Sequence, residues 1–286
     1  MKGQAEELSP GLYVVATPIG NLEDLGFRAL RVLKQSRWIA AEDTRETRKL
    51  LDHYGIKSEL RSLHEHSTLS RVEELVESLK GGGVGAYVSD AGTPGLCDPG
   101  PALVQACVKA GIPVYPVPGA SALLALLSIS GIPGTAFSFH GFFPREKKDR
   151  EEWSERAGKQ GGLQLFYESP HRIKETLAFL SKQFSQSPLI VGRELTKRFE
   201  TITRGSSREV AETLEAEEPR GEYVLALQLP EIEEEQCAAL GRDALKELVK
   251  ELTDLGAGQK VLTRVAMSHG LRKNEAYKLA LEMMEK

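Results

Sequence analysis

Short apolar runs alternate with amphipathic stretches through the first half of the chain. Leu12–Ala16, Trp38–Ala41, Val84–Val88 and Pro113–Val117 are brief and nearly uniformly apolar, a pattern that predicts buried strands. Between them, Phe27–Gln35, Thr44–Tyr54, Val72–Leu79 and Ala102–Ala110 place apolar residues at helical spacing. Strand–helix alternation of this kind predicts a largely parallel sheet. Pro118-Gly119-Ala120-Ser121-Ala122-Leu123-Leu124 reads as a turn into a buried helix.

After the breaker Gly131-Ile132-Pro133-Gly134, a second series starts near Ala136. Its strands are expected at Phe137–Gly141, Leu163–Tyr167, Leu189–Gly192 and Tyr223–Leu229, with shorter, more polar helices between them. An acidic run at Glu231–Glu235 predicts a linker. Asp243–Leu255 and Val261–Met284 predict a helical tail, the latter divided at Gly270 into helix, turn and helix. The expected organisation is an N-terminal α/β domain over residues 1–119, a second α/β domain over 120–232, and a linker with helical tail over 233–286.

Candidate chemistry concentrates at Val88-Ser89-Asp90-Ala91-Gly92-Thr93-Pro94-Gly95-Leu96-Cys97-Asp98-Pro99-Gly100, which leaves the carboxyl end of a predicted strand, where open α/β sheets bind ligands. Glycines allow close approach of backbone to a ligand, prolines hold the loop in one shape, and Asp90 offers acceptors to hydroxyl or amino groups. A rigid connection with a capping aspartate uses the same residues, and both readings stay open. No G-x-G-x-x-G opens a helix after the first strand and no G-x-x-x-x-G-K-[ST] occurs, so the standard dinucleotide fold and the P-loop lose weight.

At 286 residues and 41% hydrophobic content, the chain has enough for one large core or two ordinary ones. Cys97, Cys107 and Cys237 are odd in number and lack zinc or C-x-x-C spacing, which suits a reducing cytoplasm. The polar start and the shortness of the apolar run around Leu123–Leu127 predict a chain neither secreted nor inserted in a membrane. A net charge of −4 gives no global positive field, so a nucleic-acid partner would require local basic patches. Arg193, Lys197, Arg198, Arg204 and Arg208 form one around Phe199, a candidate stacking surface, against Glu194 and Glu200. The tail supplies Lys260, Arg264, His269, Arg272, Lys273 and Lys278 against Glu275. A solvated lid or dimer prop explains that basic face as well as a grip on phosphates does. The balanced charges of Arg145–Arg150 predict a mobile surface loop.

Six segments, in order, resemble the ribosomal RNA small subunit methyltransferase I family: Ala16-Thr17-Pro18-Ile19-Gly20-Asn21-Leu22, Ala41-Glu42-Asp43-Thr44-Arg45, Ser89-Asp90-Ala91-Gly92-Thr93-Pro94, Pro118-Gly119-Ala120-Ser121, Tyr167-Glu168-Ser169-Pro170-His171-Arg172 and Gly192-Arg193-Glu194-Leu195-Thr196-Lys197. The acidic linker and helical tail also look like that family's extension. The resemblance implies two α/β domains of the tetrapyrrole-methylase (class III methyltransferase) type with S-adenosylmethionine between them, plus a small C-terminal helical extension. It further implies 2′-O-methylation of a cytidine in the decoding centre of 16S rRNA, with rRNA or the small ribosomal subunit as partner, and a homodimer; from the cysteine spacing, no metal is expected. Tetrapyrrole methylases typically open with Gly-x-Gly-x-Gly after the first strand, whereas this chain has Thr17-Pro18-Ile19-Gly20, which weakens a tetrapyrrole acceptor. A small-molecule methylase and a non-catalytic ribosome-binding factor on the same fold are the alternatives.

By the resemblance, Pro18, Asp90, Gly92, Thr93, Ala120, Ser121, Tyr167 and Ala226 fall on the cofactor-binding segments; unaided, Ala226 reads as strand core. Methyl transfer is an in-line displacement, so positioning dominates. A ribose hydroxyl is a poor nucleophile, which calls for a proton acceptor or a stabilising cation. Asp43 and Arg45, after the second strand, and Glu168 and His171, after a later one, are the catalytic candidates; helix capping is the rival role for both pairs. Arg193, Lys197, Arg198, Arg204 and Lys273 are the candidate RNA-binding residues.

Overall fold

A computed structural model describes residues 7–64, 67–132, 136–230, 242–269, 271 and 273–284. The acidic run at 231–235, Cys237, Gly270, Arg272 and part of the 131–134 breaker lie outside the described residues.

Five strands form the first sheet: β1 (Gly11–Val15), β2 (Trp38–Ala41), β3 (Glu59–Ser62), β4 (Val84–Val88) and β5 (Val114–Val117), in the order β3-β2-β4-β1-β5. Every pairing in it is parallel. Helices α1 (Phe27–Gln35), α2 (Thr44–His53), α3 (Leu69–Lys80) and α4 (Gly100–Lys109) connect them. Alternate residues of one strand point to opposite faces, which explains runs that are apolar throughout. Tyr13, Val15, Ile39 and Val88 pack with Val32 and Leu33 of α1 and Leu50 and Leu51 of α2. Leu12, Trp38, Ala40 and Tyr87 pack with Leu75 and Leu79 of α3 and Leu103 and Cys107 of α4.

The second sheet is mixed. Its strands β6 (Phe137–Phe142), β7 (Gly162–Glu168), β8 (Pro188–Arg193), β9 (Thr201–Ser206) and β10 (Tyr223–Leu229) run in the order β6-β7-β10-β8-β9. Strands β6 and β7 are parallel, while β8 is antiparallel to both β10 and β9. Helices α5 (Ala122–Ser130), α6 (Lys147–Gln160), α7 (Ile173–Gln183) and α8 (Ser207–Glu215) accompany it. Leu123 and Leu126 of α5 pack on Leu163, Leu165, Ile190, Val224 and Ala226.

Two expectations are corrected. Helix α5 is not buried all round: Leu124 is 56% exposed and Ile129 43%, so only one of its faces enters the core. The balanced charges at Lys147–Arg150 open the fourteen-residue α6 rather than forming a loop. Arg150 is nearly buried, its guanidinium bonded to Glu175 at 2.6 Å and to the Pro144 carbonyl at 2.9 Å.

The chain divides into two compact units, one within Met1–Arg150 and Leu163–Gln228 and the other within Glu151–Gly162 and Leu229–Lys286. The second contains α9 (Arg242–Asp254), α10 (Gln259–Ser268) and α11 (Lys273–Met284), which enclose a core of Leu245, Val249, Leu262 and Ala280. No helix among the described residues is long and apolar enough to cross a membrane.

Candidate active site

Three loops leave the carboxyl edge of the parallel sheet, after β1, β4 and β5, and hydrogen bonds fasten them to one another. Thr17 and Gly92 exchange backbone bonds of 2.9 and 3.1 Å. Thr93 Oγ1 donates to the Ala120 carbonyl at 3.0 Å, tying the loop after β4 to the one after β5. Asp98 shapes the rest of the glycine loop: its carboxylate accepts the Gly95 and Gly100 N–H groups and the Tyr87 hydroxyl at 2.7 Å. Burial, and then Asp98, push the Tyr87 phenol far up, so this bond keeps its proton.

Beside these loops lies a cavity of about 320 Å³, within the range of small-molecule sites. Gly92, Thr93, Ser121, Tyr167 and Glu168 line it. Pro18 adjoins the lining residue Ile19, and the Ala120 carbonyl is taken by Thr93. Ala226 is fully buried in β10, two residues beyond the lining residue Val224. Asp90 is exposed, and its Oδ1 accepts the Asp43 N–H at 2.8 Å while its neighbours Ala91 and Gly92 face the cavity. Residue-level reading missed Ile19, Leu96, Phe142, Leu195 and the turn Gly221-Glu222-Tyr223 as lining residues. An exposed aromatic at a predicted strand end marks Phe142; nothing local marks the turn, because β8 brings it in from a distant part of the chain.

The four catalytic candidates are not brought together into one cluster of free groups. Asp43 caps α2 through the Arg45 N–H at 2.8 Å and pairs with the Arg45 guanidinium at 2.6 Å. The side-chain bonds from Arg45 and its backbone N–H lower the Asp43 carboxyl to about 2, which makes it a weak base. Glu168 is buried, with Oε1 accepting from the Ser169 N–H at 2.8 Å and Oε2 from Thr176 Oγ1 at 2.6 Å, and Arg172 3.4 Å away. His171 is exposed in the turn before α7. Arg172 also donates to the carbonyls of Phe143 and Pro144, so Glu168 anchors the turn and the strand end that hold the cavity wall. Tyr167 is pushed up by burial, with the Cys97 thiol adding to the shift, and stays a neutral phenol.

A tight corner is built at Glu194–Lys197, after β8. Lys197 Nζ donates to Glu194 Oε1 and Glu222 Oε2, each at 2.8 Å. Glu194 and Glu222 also share two backbone contacts, Glu194 N–H to the Glu222 carbonyl and Glu222 N–H to Glu194 Oε1, both at 3.0 Å. Burial works to raise the Glu194 carboxyl, but Lys197 and the Glu222 N–H outweigh it and hold the group below its ordinary range. Desolvation opposes the charge on Lys197 less than the two carboxylates favour it, so its affinity for the proton is raised. Gly221 has φ +74°, and a Cβ there would lie 2.4 Å from the Glu194 carboxyl carbon. A Cβ on Gly20 would lie 2.4 Å from Lys197 Cγ. Glycine alone fits both approaches.

The basic segment carries less free charge than its composition suggests. Arg193 pairs with Glu217 at 2.9 Å and donates to Thr201, Lys197 is held by two glutamates, and Arg208 pairs with Glu212. Arg198 stacks on Phe199 at 5.5 Å, and Arg204 donates to the Ile129 carbonyl; neither has a carboxylate partner among the described residues. Phe199 is 71% exposed. Lys273 is exposed at the start of α11.

A parallel sheet with a loop-built cavity at its carboxyl edge, followed by a mixed sheet that supplies the opposite wall, defines a methyltransferase of the tetrapyrrole-methylase type. The family model for the Tetrapyrrole (Corrin/Porphyrin) Methylases matches residues 11–211. Among solved structures, diphthine synthase superposes with a TM-score of 0.60 at 12% identity, covering 76% of this chain and 89% of that one. Uroporphyrin-III-C-methyltransferase from Thermus thermophilus gives a TM-score of 0.53 at 20% identity, covering 78% and 100%. At these identities the likeness is one of fold. "Ribosomal RNA small subunit methyltransferase I" of Haemophilus influenzae is 41% identical over 286 residues, 98% of this chain and 99% of that protein. Its namesake in Bacillus subtilis (strain 168) is 40% identical over 269 residues, 93% and 92% of the two chains. The chain therefore belongs to the ribosomal RNA small subunit methyltransferase I family. It is an S-adenosylmethionine-dependent methyltransferase.

The cavity suits that cofactor. Ile19, Leu96, Phe142, Leu195 and Val224 give apolar walls for a flat ring. Ser121, the N-cap of α5, makes no side-chain capping bond and faces the cavity with Ala122, at the helix end where an amino-acid carboxylate would bind.

Proposed function

We propose that this protein methylates the ribose 2′-hydroxyl of a cytidine in the decoding centre of 16S rRNA, cytidine 1402 in bacterial numbering. The observation that carries the reading is coverage. The porphyrin methylase is matched whole by 78% of this chain, whereas the Haemophilus rRNA methyltransferase accounts for 98%. Beyond the methylase fold, then, this chain shares its remainder with proteins named for ribosomal RNA.

On this reading Pro18, Asp90, Gly92, Thr93, Ala120, Ser121, Tyr167 and Ala226 hold or frame S-adenosylmethionine, which supplies an electrophilic methyl group on its sulfonium. The protein's contribution is to fix an incoming oxygen in line with that group and exclude water from the apolar part of the cavity. Asp43 and Glu168 act by shaping the loops, since their carboxylate oxygens are bonded there, and Arg45 holds Asp43 while its guanidinium stays exposed. His171 stands at the exposed turn and is available to the RNA. Arg198, Arg204 and Lys273 face phosphates, and Phe199 offers a ring to an unpaired base. We place the protein in the cytoplasm as a homodimer.

Incubation with methyl-labelled cofactor and unmodified small subunits, followed by nucleoside analysis, tests the reading. Label in 2′-O-methylcytidine is the expected result; label in a base-methylated nucleoside, or none, defeats it.

A further inference from the structure

We propose that Glu222 is the catalytic proton acceptor and that Lys197 positions it; this rests on the ribose-methylation reading above. Two carboxylates line the cavity, Glu168 and Glu222. Glu168 has both oxygens committed to Ser169, Thr176 and Arg172. Glu222 spends Oε2 on Lys197, and Oε1 has no bonding partner among the described residues, so it alone has an oxygen to offer a substrate hydroxyl. Its side chain is 76% exposed and open to a substrate approaching from solvent.

The surroundings of Glu222 are built rather than incidental. Glu194 sits at φ +53° and Thr196 at φ +66°, a left-handed region that non-glycine residues occupy at a cost and that clusters at functional sites. That backbone path turns Lys197 back onto both glutamates, with Gly20 leaving room for Lys197 and Gly221 leaving room for Glu194. Lys197 and Glu194, which accepts the Glu222 backbone N–H, are the charged groups facing Glu222. Lys197 fixes its angle. A lysine bound this way is not free to hold a phosphate, so its expected RNA contact gives way to this role.

In the step itself, a lone pair of the ribose oxygen forms the new C–O bond to the methyl carbon while the C–S bonding pair returns to sulfur. The hydroxyl proton passes to Glu222 Oε1, leaving a neutral carboxylic acid, a neutral thioether and the methyl ether. The proton returns to solvent from the exposed face of Glu222.

The test uses full-length protein and small subunits. Glu222→Gln should lower kcat roughly 100-fold, the size of a lost general base, with unchanged affinity for S-adenosylhomocysteine by calorimetry. Glu222→Asp should retain part of the rate. An acid limb in the wild-type pH–rate profile should be missing from the glutamine variant. Lys197→Met should lower kcat with little change in KM, and Lys197→Arg should restore most of it. Glutamine activity close to wild type, or an unaltered acid limb, overturns the proposal while wild-type methylation stands. Wild-type protein that leaves rRNA unmethylated defeats the substrate reading and this inference together.

Discussion

Asp90 Oδ1 accepts the backbone N–H of Asp43 at 2.8 Å, joining the loop after β4 to the capped start of α2. The residue that the sequence marks as a ligand contact is thus also a brace between two loops. Asp90→Ala removes a charge-assisted bond of about 1.5–3 kcal/mol and should weaken S-adenosylhomocysteine binding by about tenfold or more. Asp90→Asn keeps an acceptor oxygen and should retain most of the affinity if bracing dominates. Calorimetry on both variants decides: an asparagine variant as weak as the alanine one assigns the negative charge itself to the ligand.

Gly221→Ala should destabilise the protein by on the order of 2 kcal/mol, since alanine meets both a positive φ and the Glu194 carboxyl. Thermal melting measures this. A melting temperature equal to wild type shows that the corner has room to move.

The Asp43 carboxyl is lowered to about 2 by Arg45. Its folded-state value lies below the unfolded one, so whatever stability it contributes is complete above about pH 4 and is lost as pH falls through about 2. Neutral-pH methylation should therefore show no limb from Asp43. Carbon-detected NMR titration should give a midpoint near 2, and Arg45→Ala should raise it. A midpoint in the ordinary carboxylate range denies the ion pair in solution.

What the sequence reveals and what it hides divides along burial. Strands β1, β2 and β4 announce themselves because both faces are covered, which makes their apolar runs continuous. Strand β3, Glu-Leu-Arg-Ser, is an exposed edge with no such signature, and β9 hides behind its arginine and threonines for the same reason. The glycine loop was legible because turn chemistry is local. The Lys197–Glu222 pair was not: the two residues lie far apart in sequence and meet only because β10 and β8 run antiparallel, with Tyr223 opposite Arg193. Charge counting likewise overestimated the basic patch, since the partners of Arg193 and Lys197, Glu217 and Glu222, come from a later segment.

Pairing changes the expected RNA surface. Arg198→Ala should reduce the slope of log K against log salt by about 0.7 if it meets one phosphate of a single strand. Arg193→Ala should instead lower the melting temperature with little change in slope, because its guanidinium holds Glu217 and Thr201. Filter binding across a salt series separates them; a slope change confined to Arg193→Ala reverses the assignment.

All residues lining the cavity belong to the first compact unit. Deleting residues 237–286 should leave S-adenosylhomocysteine affinity nearly intact and reduce methylation of subsaturating subunits through weaker capture. Wild-type rates from the truncated protein would make the tail dispensable for recognition, and loss of cofactor binding would make it a structural prop.

Thr196 Oγ1 is buried without a hydrogen-bond partner among the described residues, and its backbone adopts a conformation that β-branched residues avoid. Glycine at this position would relieve both burdens in a single substitution. The chain has nonetheless kept the less comfortable residue next to Lys197, which leaves this corner short of the stability the fold could reach. A stability-guided redesign would choose Thr196 early, and by relaxing the turn it would loosen the lysine's hold on Glu222. More robust protein and slower chemistry would then arise from the same change.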